Sequence, residues 1–275
     1  MSENSYTKEM PFVQHLLELR DRLLKIIASV AVFLLILMPF ANDLFHLLAD
    51  PLLAKLPEGT QMIAIDVASP FFTPFKLTLV LSIFLAMPVI LYHLWAFVAP
   101  GLYKNERSMV LPLMVSSTSL FYLGMIFAYY VVFPLIFGFM VTMTPEGVEM
   151  STDISRYLDF VLKLLFAFGI AFQVPIATVL LVRVGIVTPE SLAEKRPYII
   201  VGAFIVGMLM TPPDMISQTL LAIPIWLLFE LGLVVSRSMA AKRAAAESEE
   251  DEPNLALSRD ELEKEIAKIE DKRES

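Results

Sequence analysis

The chain contains no cysteine. Disulfides, thiolate metal sites and cysteine nucleophiles are therefore excluded. Histidine is also scarce. His15, His46 and His93 are the only three, and no two stand at a metal-ligand spacing, so no metal site is expected. There is no H-E-x-x-H, no Walker A loop and no G-x-S-x-G. No catalytic residue and no cofactor is expected, and any work done here does not draw on ATP bound by this chain. A basic patch with interleaved aromatics is missing as well, which removes nucleic acid as a partner. The segment Met1–Pro11 is polar and contains Glu3 and Glu9, without the basic region and small-residue cleavage site of a secretory signal. The first apolar segment is thus expected to stay as a transmembrane helix.

What the chain does have is apolar length. Of 275 residues, 57% are hydrophobic, a composition whose solvent is lipid. The net charge of −8 is unevenly spread. From Ala244 onward the chain carries 12 acidic and 5 basic residues, so the body before it is nearly neutral. A spanning helix needs about 20 apolar residues. Six segments qualify or nearly so: Leu23–Ala41, Phe75–Val98, Met109–Phe137, Phe160–Val182, the short Tyr198–Met210, and Met215–Val235. The stretch Asn42–Thr73, with Asp43, Asp50, Pro51, Pro57, Gly59 and Pro70, is expected as a long loop.

Positive charge sets orientation. One side collects twelve basic residues: Lys8, Arg20, Arg22, Lys25, Lys104, Arg107, Arg183, Lys195, Arg196, Arg237, Lys242 and Arg243. The other has four, Lys55, Lys76, Arg156 and Lys163. Both termini are therefore placed in the cytoplasm, as six spans require. The expected organisation is an amphipathic N-terminal helix over 1–22, a six-span membrane domain over 23–236, and an acidic tail over 237–275. In the first, Phe12, Leu16, Leu19 and Leu23 share one helical face and run into span one. In the last, Ser258 and Glu261 form a capping box, followed by Leu262, Ile266 and Ile269 on one face.

Pro39, Pro88, Pro112, Pro134, Pro175 and Pro224 lie within or near five spans. Each removes one backbone hydrogen bond and crowds the carbonyl four residues earlier. This argues for a curved body as well as for generic kinking. Span five, at 13 residues, reaches only about 20 Å against a hydrocarbon core of about 30 Å. Thr211-Pro212-Pro213-Asp214 then turns the chain, and span six opens on Ser217, Gln218 and Thr219. A thinned bilayer, a covering partner or a sheltered position in the bundle would each answer this.

Few polar residues remain that could carry function. Glu18 lies near the apolar seam of the N-terminal helix, and Glu106 follows Trp95, Phe97 and Tyr103 in the next cytoplasmic loop. Two carboxylates at that face suit a basic ligand, best an arginine, whose planar fork matches a carboxylate. An i,i+4 pair with Arg22 is the structural alternative for Glu18, and a solvated loop charge that for Glu106. Within the bilayer Gln173, Glu230 and Lys163 stand out, since intramembrane ionisable residues are costly. Glu230 lies where snorkelling to the interface is cheap. Gln173, two residues before Pro175, can bond backbone freed by that kink or face a partner helix.

These residues also compose a pattern. His15-Leu16-Leu17-Glu18-Leu19-Arg20-Asp21-Arg22, Ser69-Pro70-Phe71-Phe72, Trp95-Ala96-Phe97-Val98-Ala99-Pro100-Gly101-Leu102 with Glu106-Arg107, and Thr211-Pro212-Pro213-Asp214 occur in order. Over about residues 10–240 the chain resembles the TatC family, the core membrane subunit of the bacterial twin-arginine protein translocase. The resemblance implies an all-α integral membrane protein, a concave glove of six transmembrane helices in the bacterial plasma (inner) membrane. It implies binding of the twin-arginine signal peptides of folded precursors, TatA- and TatB-type single-span partners, self-association in a multi-subunit complex, and transport driven by the proton motive force. Carried onto this chain, Glu18 and Glu106 would hold the two arginines, with Phe97, Pro100, Arg20 and Arg107 at the same surface. Met208, Thr211 and Gln218 would meet a partner helix. Pro51 and Phe71 would belong to the outer cap, and Asp214 to the tight turn. Many family members have a glutamate where this chain has Gln173, so a proton carried there is in doubt. A secondary transporter of a small solute is the alternative. That class often shows internal repeats and midplane charges; no convincing repeat relates spans one to three to spans four to six.

Overall fold

Apolar runs interrupted by proline become helices that bend rather than stop. A computed structural model describes residues 6–53, 62–102, 110–143, 152–210, 215–216 and 218–242, all but a few of them helical. Helix α1 (Tyr6–Leu37) passes through a 3₁₀ turn at Met38–Phe40 into α2 (Ala41–Leu53). Next come α3 (Ser69–Leu85), α4 (Met87–Leu102) and α5 (Val110–Phe127), and a π-helical turn at Ala128–Val132 leads into α6 (Phe133–Thr142). Then follow α7 (Ile154–Ala171), α8 (Val174–Arg183), the short α9 (Pro189–Glu194), α10 (Arg196–Met210) and α11 (Gln218–Lys242). Among the described residues, four continuous helical stretches are long and apolar enough to cross a membrane: Leu16–Ala49, Leu111–Thr142, Ile154–Arg183 and Gln218–Lys242. The pair α3–α4, bent by 48°, makes a fifth, and α10 is a shorter apolar helix. The six-span reading is compatible with this set.

The span boundaries move outward for physical reasons. Asn42–Thr73 is not a loop throughout: α2 carries helix to Leu53, and α3 begins at Ser69. Span four begins at Ile154, because Asp153 caps α7 by accepting the Arg156 N–H at 3.2 Å. The same carboxylate accepts from the Ile65 N–H, and Ile63 exchanges backbone bonds with Thr152 and Ile154 at 3.0 and 2.9 Å. One residue thus starts a helix and pins the outer segment beside it. The amphipathic N-terminal segment is the first part of α1, without a break. At the other end α11 continues to Lys242, past the expected limit at 236. Beyond Lys242 the tail, with its capping box, lies outside the described residues.

Each proline inside a span leaves a carbonyl without its usual donor, and lipid supplies no water to replace it. The chain provides side chains instead. Pro88 frees the carbonyl of Phe84, which accepts the Tyr122 hydroxyl at 3.1 Å. Pro51 frees that of Leu47, which accepts the Tyr129 hydroxyl at 2.6 Å. The adjacent Leu48 carbonyl takes the buried Tyr157 hydroxyl at 2.6 Å. Tyr122 and Tyr129 are seven residues apart, two turns along one face. At Pro134 the π turn just before α6 takes up the extra residue.

The core is built by close packing, since lipid gives helices no hydrophobic reason to associate. It centres on α3, α5, α6 and α7, with Leu77, Phe84, Phe121, Phe133, Ile136, Leu158 and Leu164 almost wholly buried. Phe84 meets Phe121 edge-on, and Phe127 meets both Phe168 and Phe172 at 5.7 Å between ring centres. Helices α5 and α7 come so near that a methyl group on Gly124 would sit 2.6 Å from the Phe168 carbonyl oxygen. A smaller cluster of Leu192, Phe229 and Leu233 seats α9 against α11.

Two outcomes are expected. Gly124→Ala forces two backbones apart and should destabilise by about 1–3 kcal/mol. Gly138→Ala, where nothing lies within 4 Å, should not, as thermal unfolding in detergent would read. Removing a single hydroxyl with Tyr129→Phe should cost about 0.5–1.5 kcal/mol, the net worth of its hydrogen bond to the exposed Leu47 carbonyl. In a Pro51→Ala background, where the backbone donor returns, that loss should shrink.

Candidate functional site: a held carboxylate at the cytoplasmic face

Glu18, Asp21, Arg22 and Lys25 occupy positions i, i+3, i+4 and i+7 of α1, which is one helical face. They line an open cavity of about 570 Å³ with Tyr92 and His93 of α4. Within it Glu18 Oε1 accepts both Nε, at 3.0 Å, and Nη2 of Arg22. The same guanidinium donates from Nη2 to the carbonyl of Ala96 at 3.1 Å. Ala96 stands four residues before Pro100, so its carbonyl is the one that Pro100 deprives of a backbone donor. Pro100, Arg22 and Glu18 therefore form one chain of cause. The proline exposes a carbonyl, the carbonyl and the carboxylate together hold the guanidinium, and the guanidinium holds the carboxylate in place.

Arg22 is mostly covered, whereas Glu18 keeps 44% of its side chain exposed. Its second oxygen, Oε2, has no partner among the described residues and is open to a further donor. Arg20 does not join this group. It pairs with Asp21 at 2.8 Å, both side chains more than half exposed, an interaction worth little in water. Phe97 is half-buried one turn beyond His93. The backbone of Pro100 is helical, and its side chain is not described; Glu106 and Arg107 lie outside the described residues.

Beneath the site a polar network ties three helices together. Trp95 Nε1 donates to Ser117 Oγ at 2.9 Å, and Gln173 Nε2 donates to the Ser117 carbonyl at 2.8 Å. Gln173 thus bonds the neighbouring helix α5 rather than the carbonyl freed by its own kink. Its Oε1 is buried without a partner among the described residues.

Glu230 is paired. Arg196, the first residue of α10, donates Nε and Nη2 to its two oxygens at 2.6 and 2.8 Å. Such a fork-to-fork contact fixes the cytoplasmic start of the short span against α11. The other end of that hairpin is also tight, for a methyl on Gly207 would lie 3.2 Å from the Gln218 carbonyl oxygen. Gln218 is half-buried there, while Met208 is 53% exposed on α10. Thr211 and Asp214 lie outside the described residues. At the outer side Phe71 is 70% exposed, its ring edge-on to Phe72 at 5.2 Å. Pro51 is in α2, where it frees the carbonyl that Tyr129 takes.

Sequence reasoning missed Asp21, Lys25, Tyr92 and His93 as cavity residues. The i, i+3, i+4, i+7 spacing on α1 carried that signal for the first two. For Tyr92 and His93 it lay in their place one turn before Ala96 and Phe97.

Comparison with known proteins identifies the family of the chain. Residues 14–224 match the family model described as Sec-independent protein translocase protein (TatC). The Sec-independent protein translocase protein TatC of Escherichia coli (strain K12) is 60% identical over 232 residues, 84% of this chain and 90% of the relative. That of Haemophilus influenzae is 55% identical over 230 residues, again 84% and 90%. A crystal structure of the twin arginine translocase receptor TatC superposes with a TM-score of 0.73 at 39% identity, covering 81% of this chain and 98% of that one. On the family model, the relatives and the shared fold together, this chain belongs to the TatC family of Sec-independent protein translocase proteins.

Proposed function

We propose that the chain is the receptor subunit of a twin-arginine translocase. It takes the signal peptides of folded precursors at its cytoplasmic face and passes the precursors on with TatA- and TatB-type partners, driven by the proton motive force. The multi-pass, inner-membrane setting follows from the family and the apolar helices. Membership of that family displaces the small-solute transporter. The observation that carries the reading is the Glu18 carboxylate, with one oxygen held by Arg22 and the other without a partner among the described residues, beside an open cavity.

A peptide arginine offers five N–H donors in a fixed plane, and a carboxylate whose position is already set loses little freedom on receiving it. Arg22 supplies that setting and does not itself meet the peptide. Lysine is a point charge and gains less from an oriented oxygen. Glu106, with Arg107 beside it in the sequence, is proposed as the second carboxylate of the pair, with Phe97 and Pro100 shaping the surface between. Arg20, turned to Asp21, is proposed to act at the rim. The exposed Met208 and the half-buried Gln218, with Thr211, are proposed as the place where a partner helix covers the short α10. The fork between Arg196 and Glu230 would give that helix a fixed start.

Glu18→Gln should weaken binding of an Arg-Arg signal peptide by about 10- to 100-fold, the worth of one charged hydrogen bond, and change binding of a Lys-Lys peptide far less. Arg22→Lys keeps the charge and loses the fork, so it should fall between wild type and Glu18→Gln. Titrating labelled Arg-Arg and Lys-Lys peptides against membranes carrying each variant reads both effects, and a photoreactive group on the peptide beside its arginines reports adducts at positions 18 and 106. Equal losses for the two peptides, or no adduct at either position, would remove the two-carboxylate site.

A further inference from the structure

The outer half of the bundle contains a second charged cavity that the receptor reading does not use. It opens between α3 and α7, has a volume of about 300 Å³, and is lined by Lys76, Val80, Ile83 and Phe84 on one helix and by Asp159, Leu162, Lys163 and Phe166 on the other. Each helix places a charged residue outermost. On α3 Lys76 stands outermost and Val80, Ile83 and Phe84 follow; on α7 Asp159 stands outermost, Lys163 lies beside Leu162, and Phe166 follows toward the midplane. Phe84 and Phe166 stack with rings nearly parallel, 12° apart, and close the floor.

Lys76 is bonded to Asp159 across the mouth. Lys163, one turn after Asp159, is exposed and has no counter-ion among the described residues. The cavity therefore carries a net charge of +1. Counting from the first residues of their helices, Lys76 is about 10 Å and Lys163 about 14 Å along the axis at 1.5 Å per residue. An ammonium at that depth is costly in hydrocarbon, and its flexible stem reaches outward toward the headgroups.

We infer that the α3–α7 cleft binds an anionic phospholipid of the outer leaflet, with its phosphate against Lys163 and Lys76 and an acyl chain lying on Val80, Ile83, Leu162 and Phe166. The charge order matches that molecule. A cationic rim above an apolar floor fits a headgroup above a tail. Asp159 holds Lys76 at the mouth, and Lys163 supplies the uncompensated charge that favours an anionic lipid over a zwitterionic one.

Native mass spectrometry of the full-length protein, titrated with phosphatidylglycerol or phosphatidylcholine, tests this. Wild type should retain phosphatidylglycerol preferentially. Lys163→Gln should lower that retention about fivefold, the effect of one lysine near an anionic surface, while Lys163→Arg keeps it. Lys163 is exposed, so neither change disturbs the core. Ile83→Trp, which fills the cleft without altering charge, should lower retention of both lipids. Unchanged phosphatidylglycerol retention in Lys163→Gln would overturn the inference. So would retention that stays unchanged while co-purification of an acidic partner helix is lost, because the cleft would then be a protein-docking site.

Discussion

A carbonyl oxygen in hydrocarbon must find a donor within the protein, and that requirement organises this molecule. The spans are rich in proline, and each proline inside a helix strands the oxygen four residues earlier. Where the structure shows the remedy, it is a side chain from a different helix. Tyr122 donates to Phe84, Tyr129 to Leu47, and Arg22 to Ala96. What would be a defect within one helix becomes a bond between two. In a medium that gives helices no hydrophobic drive to associate, such bonds and close packing at small residues such as Gly124 are what remain to hold a bundle.

The cytoplasmic cavity beside Glu18 is one instance of the same rule. Arg22 is not placed by its charge alone, for an i,i+4 ion pair on an exposed helix is worth only a few tenths of a kcal/mol. Its second contact, to the oxygen that Pro100 leaves bare, anchors it to α4 and leaves Glu18 on a fixed mount. The ion pair on α1, which by itself would be a reason to dismiss Glu18 as structural, is thus the means by which one oxygen is kept in position while the other stays free.

Much of this was legible in the sequence and some was not. Helical spans, their sidedness and their bends follow from hydropathy, basic residues and proline, which act locally. The limit of α2 did not follow, because it rests on Tyr129 and Tyr157 far along the chain; the start of α7 rests on the local cap by Asp153, and only that residue's bond to the Ile65 N–H is long-range. Glu18 was visible as a carboxylate beside an apolar seam. Its link to Pro100 was not, since it joins two residues on different spans. Glu230 looked costly on its own, and only the fold brings it to Arg196. Asp159 and Lys76 drew no notice together, although each sits at the helical spacing that puts it on the rim of the outer cleft.

Gln173 shows how a single atom changes what such a network can do. Its amide nitrogen donates to the Ser117 carbonyl, on the residue whose hydroxyl receives Trp95. An ionised carboxylate has no hydrogen to donate. A glutamate at this position could make the same contact only while protonated, and the α5–α8 link would then follow the local proton supply. With glutamine the link is independent of pH, and Trp95, at the base of the cytoplasmic surface, is held the same way throughout. Any response of this protein to the proton motive force therefore has to arise elsewhere than in titration of this side chain.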